Sequence, residues 1–258
     1  MTAKTPTLAV WKFASCSGCQ LTLLNCEDDF LSIVGAIDIV YFPEATKTMA
    51  DGPYDLSIVE GSITTAHEAE QIQRIRASST TLITVGACAT AGGIQALKNW
   101  ADVDEFISIV YPHPEFINSL GTSTPIADHV KVDFELHGCP ISQRQLIEVI
   151  DSFLHRRKPN TPSYSVCVEC KLNETTCVMI ANGTPCMGPV TRAGCGALCP
   201  AFNRGCYGCF GPSETPNIAS LRDLWHSIGV ADADLALALR TFNAYAPEFR
   251  EASDHYVG

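Results

Sequence analysis

The 258-residue sequence is poor in charge, with 17% Asp, Glu, Lys and Arg, and poorest in cations: 17 basic side chains face 28 acidic ones, for a formal net charge of -11. A chain so short of positive charge is not built to hold nucleic acid by general electrostatics. It has no apolar run of the ~18 residues that a membrane-crossing helix needs, so no transmembrane segment is expected. A Gly-x-Gly-x-x-Gly fingerprint for dinucleotides is missing, because Gly61, Gly86, Gly92 and Gly93 have the wrong spacing. Met1 to Pro6 carry neither a basic, apolar-cored leader nor a twin arginine, which sets the expected location as cytoplasmic. The 46% of hydrophobic residues is enough to bury a sizeable core and excludes intrinsic disorder.

What the chain has in excess is cysteine, thirteen in all. In a reducing compartment thiols stay reduced, and a dense set of them serves metal rather than disulfides.

Three regions differ in composition. Up to Lys158, strand-like runs (Leu8–Phe13, Ile37–Phe42, Leu56–Val59, Leu82–Val85, Val130–Leu136) alternate with segments of helical spacing (Gln20–Val34, His67–Ala77, Ile94–Trp100, Gln143–Arg157). Ser142 and Gln145 read as a capping box, and the basic run from His155 to Lys158 suits a helix C-terminus. The alternation predicts an α/β fold, a doubly wound, flavodoxin-like parallel sheet over residues 1–158. Residues 159–214 hold eight cysteines and little periodicity, so this small irregular domain must be organised by what its sulfurs bind. Residues 215–258 form a helical tail, with helices expected at Ile218–Ile228 and Asp232–Tyr245, packed back on the body.

Four thiols follow strands of the first region: Cys16 and Cys19 after the first, Cys88 after Leu82–Val85, and Cys139 after Val130–Leu136. In an open parallel sheet, all of these positions fall on the rim at the strands' carboxyl ends. Four converging thiolates can hold a [4Fe-4S] cluster or one zinc. Cys16-x-x-Cys19 alone also fits a redox-active dithiol, and Ser15 to Gly18 faintly resembles a flavodoxin phosphate loop, but both leave Cys88 and Cys139 without a role. Cys26 shares a helical stripe with Cys19, Leu23 and Phe30 and reads as a buried hydrophobe.

The other eight run Cys167-x2-Cys170-x6-Cys177-x8-Cys186, then Cys195-x3-Cys199-x6-Cys206-x2-Cys209. A zinc ribbon from the outer pairs would need a middle gap of about 15 to 20 residues, whereas 35 separate Cys170 from Cys206 and four thiols would be left over. Iron–sulfur chemistry therefore outranks zinc. The simplest partition assigns the first four to one cluster and the last four to another, with interleaving still open. Twelve thiolates and three clusters describe a wire for single electrons.

These residues resemble a known family. Cys16-Ser-Gly-Cys19-Gln20, Val59-Glu60-Gly61-Ser62-Ile63, Gly86-Ala-Cys88-Ala with Gly92-Gly93-Ile94, and Gly138-Cys139-Pro140 are similar to the small subunit of [NiFe] hydrogenases over residues 8 to about 212. The all-cysteine ligand set resembles the cytoplasmic group, which includes NAD(P)-linked hydrogenase or sulfhydrogenase delta subunits and F420-type gamma subunits. The resemblance implies three [4Fe-4S] clusters: proximal at Cys16, Cys19, Cys88 and Cys139; medial at Cys195, Cys199, Cys206 and Cys209; distal at Cys167, Cys170, Cys177 and Cys186. It implies as partners a large subunit carrying the nickel–iron centre and flavin/iron–sulfur diaphorase subunits using NAD(P). It also implies a subunit of an enzyme that carries no catalytic residue of its own. Glu60, on the proximal rim, either accepts N–H bonds or supports a proton path, unless it is a plain solvated strand-end carboxylate. Gln20 stands where many relatives carry Glu. His137 and His113 read as structural residues rather than ligands. The alternatives are a cluster-bearing subunit of an NADH:quinone-type oxidoreductase, a zinc-stabilised binding module and an FMN flavoprotein.

Overall fold

Strands covered on both faces need apolar residues at successive positions rather than alternate ones, and Leu56, Ile58 and Val59, like Leu82, Ile83 and Val85, meet that demand. The computed structural model describes residues 5–26 and 35–257. Its sheet has strands β1 (Thr7–Lys12), β2 (Asp38–Tyr41), β3 (Tyr54–Glu60), β4 (Ser79–Val85) and β5 (Phe134–Leu136), in the order β2-β1-β3-β4-β5. Every pairing is parallel. This is the flavodoxin-like order, with its switch point between β1 and β3, as the alternating pattern predicted. Helices α1 (Gly18–Leu24), α2 (Ala66–Ser78), α3 (Gly86–Ala91), α4 (Val103–Val110) and α5 (Gln143–Leu154) link or flank the strands. One core joins Leu8, Val10, Leu56, Ile58, Ile83 and Val85 to Leu146, Val149 and Ile150 of α5; a second, on the other face, joins Val59 and Leu82 to Ile72 and Ile75 of α2.

Several local expectations change. The helix expected over Gln20–Val34 begins at Gly18 and ends at Leu24, and residues 27–34, Phe30 among them, lie outside the described residues. Ile94–Trp100 is a 3-10 helix, following Gly92 and Gly93 at φ 73° and 69°. The strand expected from Val130 narrows to three residues; ahead of it, Asp133 N–H donates to Leu82 O at 2.9 Å while its carboxylate accepts the Leu82 N–H at 2.9 Å, so a side chain takes one place in the ladder. Ser142 makes no side-chain cap, because Gln145 is buried and turned toward Gly194. The capping box forms instead at Thr65 and Glu68 on α2. The basic run lies beyond α5 as a folded-back strap, in which Arg157 bonds Glu148 and Asp151 and Glu148 also accepts Asn160 N–H at 2.9 Å.

The cysteine-rich stretch carries α6 (Val166–Leu172), α7 (Val178–Asn182) and α8 (Leu198–Ala201), followed by α9 (Ile218–Ser227), α10 (Asp232–Leu239) and α11 (Pro247–Val257). Val166, Val178, Met187 and Val190 share one core with Leu221, Trp225, Leu239 and Phe249. The helix expected to reach Tyr245 stops at Leu239, since Asn243 is buried and donates to the carbonyls of Gly208 and Cys209, both at 3.0 Å. Helix α11 was not foreseen. It fastens the tail to the first region: Trp100 donates to Asp254 at 2.7 Å, and the Arg240 guanidinium sits 4.5 Å from the Trp100 ring centroid.

Phe249→Ala should destabilise the chain by about 3–5 kcal/mol, the usual cost of emptying a buried aromatic site, and hydrogen exchange should rise across residues 166–211. The Arg157 and Asn160 hydrogen bonds hold the Glu148 carboxyl down at about 2, from 4.5. A depressed carboxylate stabilises above its unfolded pKa, so the strap should loosen as pH falls from 4.5 toward 2. Exchange at Asn160 should follow that window, and Glu148→Gln should abolish the dependence.

Candidate functional site

The first site residue pair is set by a tight exit from β1. Ala14 pairs with Ser62 across the β1–β3 rim, Ser17 takes a left-handed conformation at φ 65°, and α1 starts at once, which buries Cys19 in its first turn and leaves Cys16 exposed. Glu60, at the end of β3, closes that turn from outside: its Oε1 accepts Cys19 N–H at 3.2 Å and its Oε2 accepts Gln20 N–H at 3.1 Å. Only 2% of Glu60 is exposed, so it is not the solvated strand-end carboxylate. Burial raises its pKa, against the pull of those two N–H groups. Gln20 is buried beside it and donates to Trp11 O at 3.2 Å, while its Oε1 has no hydrogen-bond partner among the described residues.

The other two strand ends converge on the same spot. Gly86 opens α3 at φ 85°, and a Cβ there would stand 2.4 Å from the Cys19 sulfur. Gly93 is equally constrained: its Cβ would meet the Cys88 sulfur at 2.6 Å. Ala87 N–H bonds Gly138 O at 2.8 Å, which ties the Cys88 turn to the Cys139 turn, and Ile141 N–H donates to the Cys19 sulfur. Each of Cys19, Cys88 and Cys139 feels the charge of other members of this group, which includes Cys16. Burial pushes the Cys19 thiol strongly up with Glu60 adding to it, raises Cys88, and lifts Cys139 to about 11, where Cys88 and Cys16 contribute. Left without a cation, these thiols stay protonated at neutral pH.

The remaining eight lie along the cysteine-rich stretch in two runs, Cys167 to Cys186 and Cys195 to Cys209. Cys167 and Cys170 lie on α6, Cys177 caps α7, and Cys186 follows it; the Cys186 sulfur accepts N–H from Cys206 at 3.1 Å and Gly188 at 3.4 Å. Burial lifts Cys167 to about 11, with Cys186, Cys170 and Cys177 adding their charges. In the second run, Glu169 clamps the Cys195 loop by accepting Gly194 N–H at 2.9 Å and Ala197 N–H at 3.1 Å, and the Cys195 sulfur receives N–H from Leu198 and Ala197. Burial drives the Cys206 thiol up against a Gly208 N–H bond, and holds Cys209 near 12. Charges are felt across the two runs, since Cys206 feels Cys186. Cys209 feels Cys195 and Cys199 on one side and Cys139 on the other, while Cys170 feels Cys195 and Cys186 feels Cys199.

Among the described residues, no three His, Cys, Asp or Glu side chains converge tightly enough for one metal ion. The donor chemistry fits a larger iron–sulfur group: thiols alone, backbone N–H aimed at sulfur, and glycines where a Cβ would fill the sulfur space. His137 is kept neutral, held down to about 4 by burial and the Arg192 charge, and exposed His113 pairs with Glu115, so neither joins a set. Cys26 is buried and bonds Thr22 O. Gln95, whose side chain bridges Ala14, Ser62 and Cys88, and Glu169 were not foreseen; no spacing rule marks either one.

Residues 16–153 match the family described as NADH ubiquinone oxidoreductase, 20 Kd subunit. The chain is 34% identical to sulfhydrogenase 2 subunit delta of Pyrococcus furiosus, over 91% of this chain and 98% of that protein. It is 31% identical to a subunit of the F420-non-reducing hydrogenase vhu of Methanocaldococcus jannaschii, over 79% of this chain and 81% of that protein. A chain of an NAD+-reducing [NiFe]-hydrogenase in the H2-reduced state superposes with a TM-score of 0.58 at 25% identity, covering 62% of this chain and 96% of that one. A chain of the Ni-Fe-Se hydrogenase of Desulfomicrobium baculatum, at 15% identity and a TM-score of 0.58 over 86% of this chain and 99% of that one, shares the fold. No helix among the described residues is long and apolar enough to cross a membrane.

Gly86→Ala should leave no room for the Cys19 sulfur beside a left-handed backbone. Thiol titration of the unfolded and folded variant, with iron analysis of the purified protein, should show loss confined to the rim set.

Proposed function

Since the chain belongs to the NADH ubiquinone oxidoreductase 20 kDa subunit family, we propose that it is the electron-transfer subunit of a cytoplasmic [NiFe] hydrogenase, relaying electrons through three [4Fe-4S] clusters. The observation that supports this reading is a continuous series of thiols close enough to feel one another's charge, from Cys139 through Cys209 to Cys195 and on to Cys170, with Cys199 and Cys186 alongside. Cys16, Cys19, Cys88 and Cys139 would hold the proximal cluster, Cys195, Cys199, Cys206 and Cys209 the medial one, and Cys167, Cys170, Cys177 and Cys186 the distal one. In this reading residues 1–158 carry the first site, 159–214 the other two, and 215–258 brace them.

When bound, an iron–sulfur cluster supplies reversible one-electron exchange at nearly fixed geometry. The chain's own part is to hold sulfurs in place and exclude water. Ile141, Gly188, Cys206, Ala197 and Leu198 turn N–H groups on the sulfurs and so favour the thiolate form. Dihydrogen would be split to two protons and two electrons on a large-subunit partner, with the electrons entering at the exposed Cys16 rim and leaving at the far end, where Cys177 is exposed. A flavin/iron–sulfur diaphorase using NAD(P) is the proposed recipient. Glu60 fixes the first turn of α1 by its two N–H bonds and need not pass a proton to do so.

The NADH:quinone-type alternative would share the rim site, since the family match ends at residue 153. The eight later cysteines lie beyond it, and the sulfhydrogenase delta likeness runs over 91% of the chain. The hydrogenase reading uses both facts.

Anaerobic purification of the complex should yield about twelve irons and as many sulfides on this chain, from three four-iron clusters. Cys139→Ser should lower that by about four and halt H2-dependent dye reduction, while the large subunit keeps its own metal. Zinc in place of iron, or no iron, would overturn the proposal.

A further inference from the structure

Glu169 belongs to one cysteine run and holds the loop of the other. It stands next to Cys170 on α6, and its side chain reaches residues 25 and 28 positions further on: Oε1 accepts Gly194 N–H at 2.9 Å and Oε2 accepts Ala197 N–H at 3.1 Å. Those two N–H groups flank Cys195, so the carboxylate is fixed by directed bonds, with Oε2 at 4.0 Å from the Cys195 sulfur. The loop turns about the carboxylate with left-handed backbone at Gly196 and Ala197, φ 67° and 56°, an uncommon conformation for alanine. The carboxylate is half-buried, and no cation among the described residues makes an ion pair with it. Burial raises the Cys195 and Cys170 thiols, and the Glu169 charge acts on each in the same direction.

We propose that Glu169 is a positioning residue whose fixed negative charge lowers the reduction potential of the clusters held through Cys195 and Cys170. The inference rests on the cluster reading above. A cluster gains one negative charge when it takes up an electron, and a carboxylate locked beside its ligands repels that charge, so the reduced state is disfavoured. The hydrogen bonds act the same way. Ala197 N–H donates both to the carboxylate and to the Cys195 sulfur, so Glu169 draws on a donor that would otherwise serve the sulfur alone. One charge facing both runs moves the two stations in the same direction.

The test is a redox titration of the intact complex, followed by electron paramagnetic resonance, for the unmodified chain and for Glu169→Gln, which keeps the length and removes the charge. Both potentials should rise, that of the cluster containing Cys195 by about tenfold in its redox equilibrium or ~59 mV for one electron, with the rim cluster unmoved. Glu169→Asp keeps the charge and shortens the tie, so its shifts should be smaller. An unchanged or lowered potential in the glutamine variant overturns the assignment. An equal rise in the aspartate variant also overturns it, leaving Glu169 a purely structural tie. Glu169→Met is the second uncharged variant where Glu169→Gln loses iron, with the same expectation, and loss of iron from both overturns the assignment too. If the unmodified complex has no iron at the eight later cysteines, it is the cluster reading itself that fails, so the two failures are told apart.

Discussion

Burial of sulfur is the constraint on which the rest of the molecule turns. Cys19 and Cys206 are less than a tenth exposed, and in both, burial opposes ionisation. A thiolate in such surroundings persists only if a cation replaces its proton and neighbouring N–H groups meet its remaining lone pairs. Both demands shape the backbone: left-handed glycines at 86 and 93 remove the Cβ atoms that would occupy the sulfur space, and the short turns after β1, β4 and β5 bring amides to the same place. The parallel sheet makes this conformationally feasible, because each strand returns to one rim and a short turn there suffices to aim a side chain inward.

Much of this was legible because it depends on pattern. Parallel strands covered on two faces show as apolar runs, and β1, β3 and β4 fall where those runs are. The rim position of Cys16, Cys19, Cys88 and Cys139 then follows from topology alone. What escaped depends on single side chains reaching across the chain. For Glu60 the sequence leaves N–H acceptance, a proton path and a solvated carboxylate side by side, and only the placement of α1, which presents two N–H groups to it, decides for the first. Gln95 lies in an unremarkable helical segment, and its partners are 33 and 81 residues away. Ser142 and Gln145 have capping-box spacing, yet Gln145 turns to fill the space beside Gly194, so tertiary packing overrode a local rule. Residues 240–246 keep helical composition, but Asn243 satisfies the Cys209 loop and the helix yields to that bond.

The cysteine-rich stretch and the tail share one apolar core. Composition suggests a small region that cannot form an ordinary core, and by itself it has little beyond Val166, Val178, Met179, Met187 and Val190 to offer. The tail supplies the rest, with Trp225, Leu239 and Phe249 closing the same apolar cluster. Trp100, Asp254 and Arg240 then bind the tail to the first region, so the spacing between thiol sets is fixed by packing on two sides.

That packing carries a consequence for biogenesis. Phe249 is translated some eighty residues after Cys167, yet it completes the wall behind the sulfurs of that region. While the polypeptide is still being made, those eight thiols have no finished scaffold and remain open to solvent and oxidants. A metal group loaded there would find its wall finished only after synthesis has passed α11, whereas the four rim thiols are all in place by residue 139.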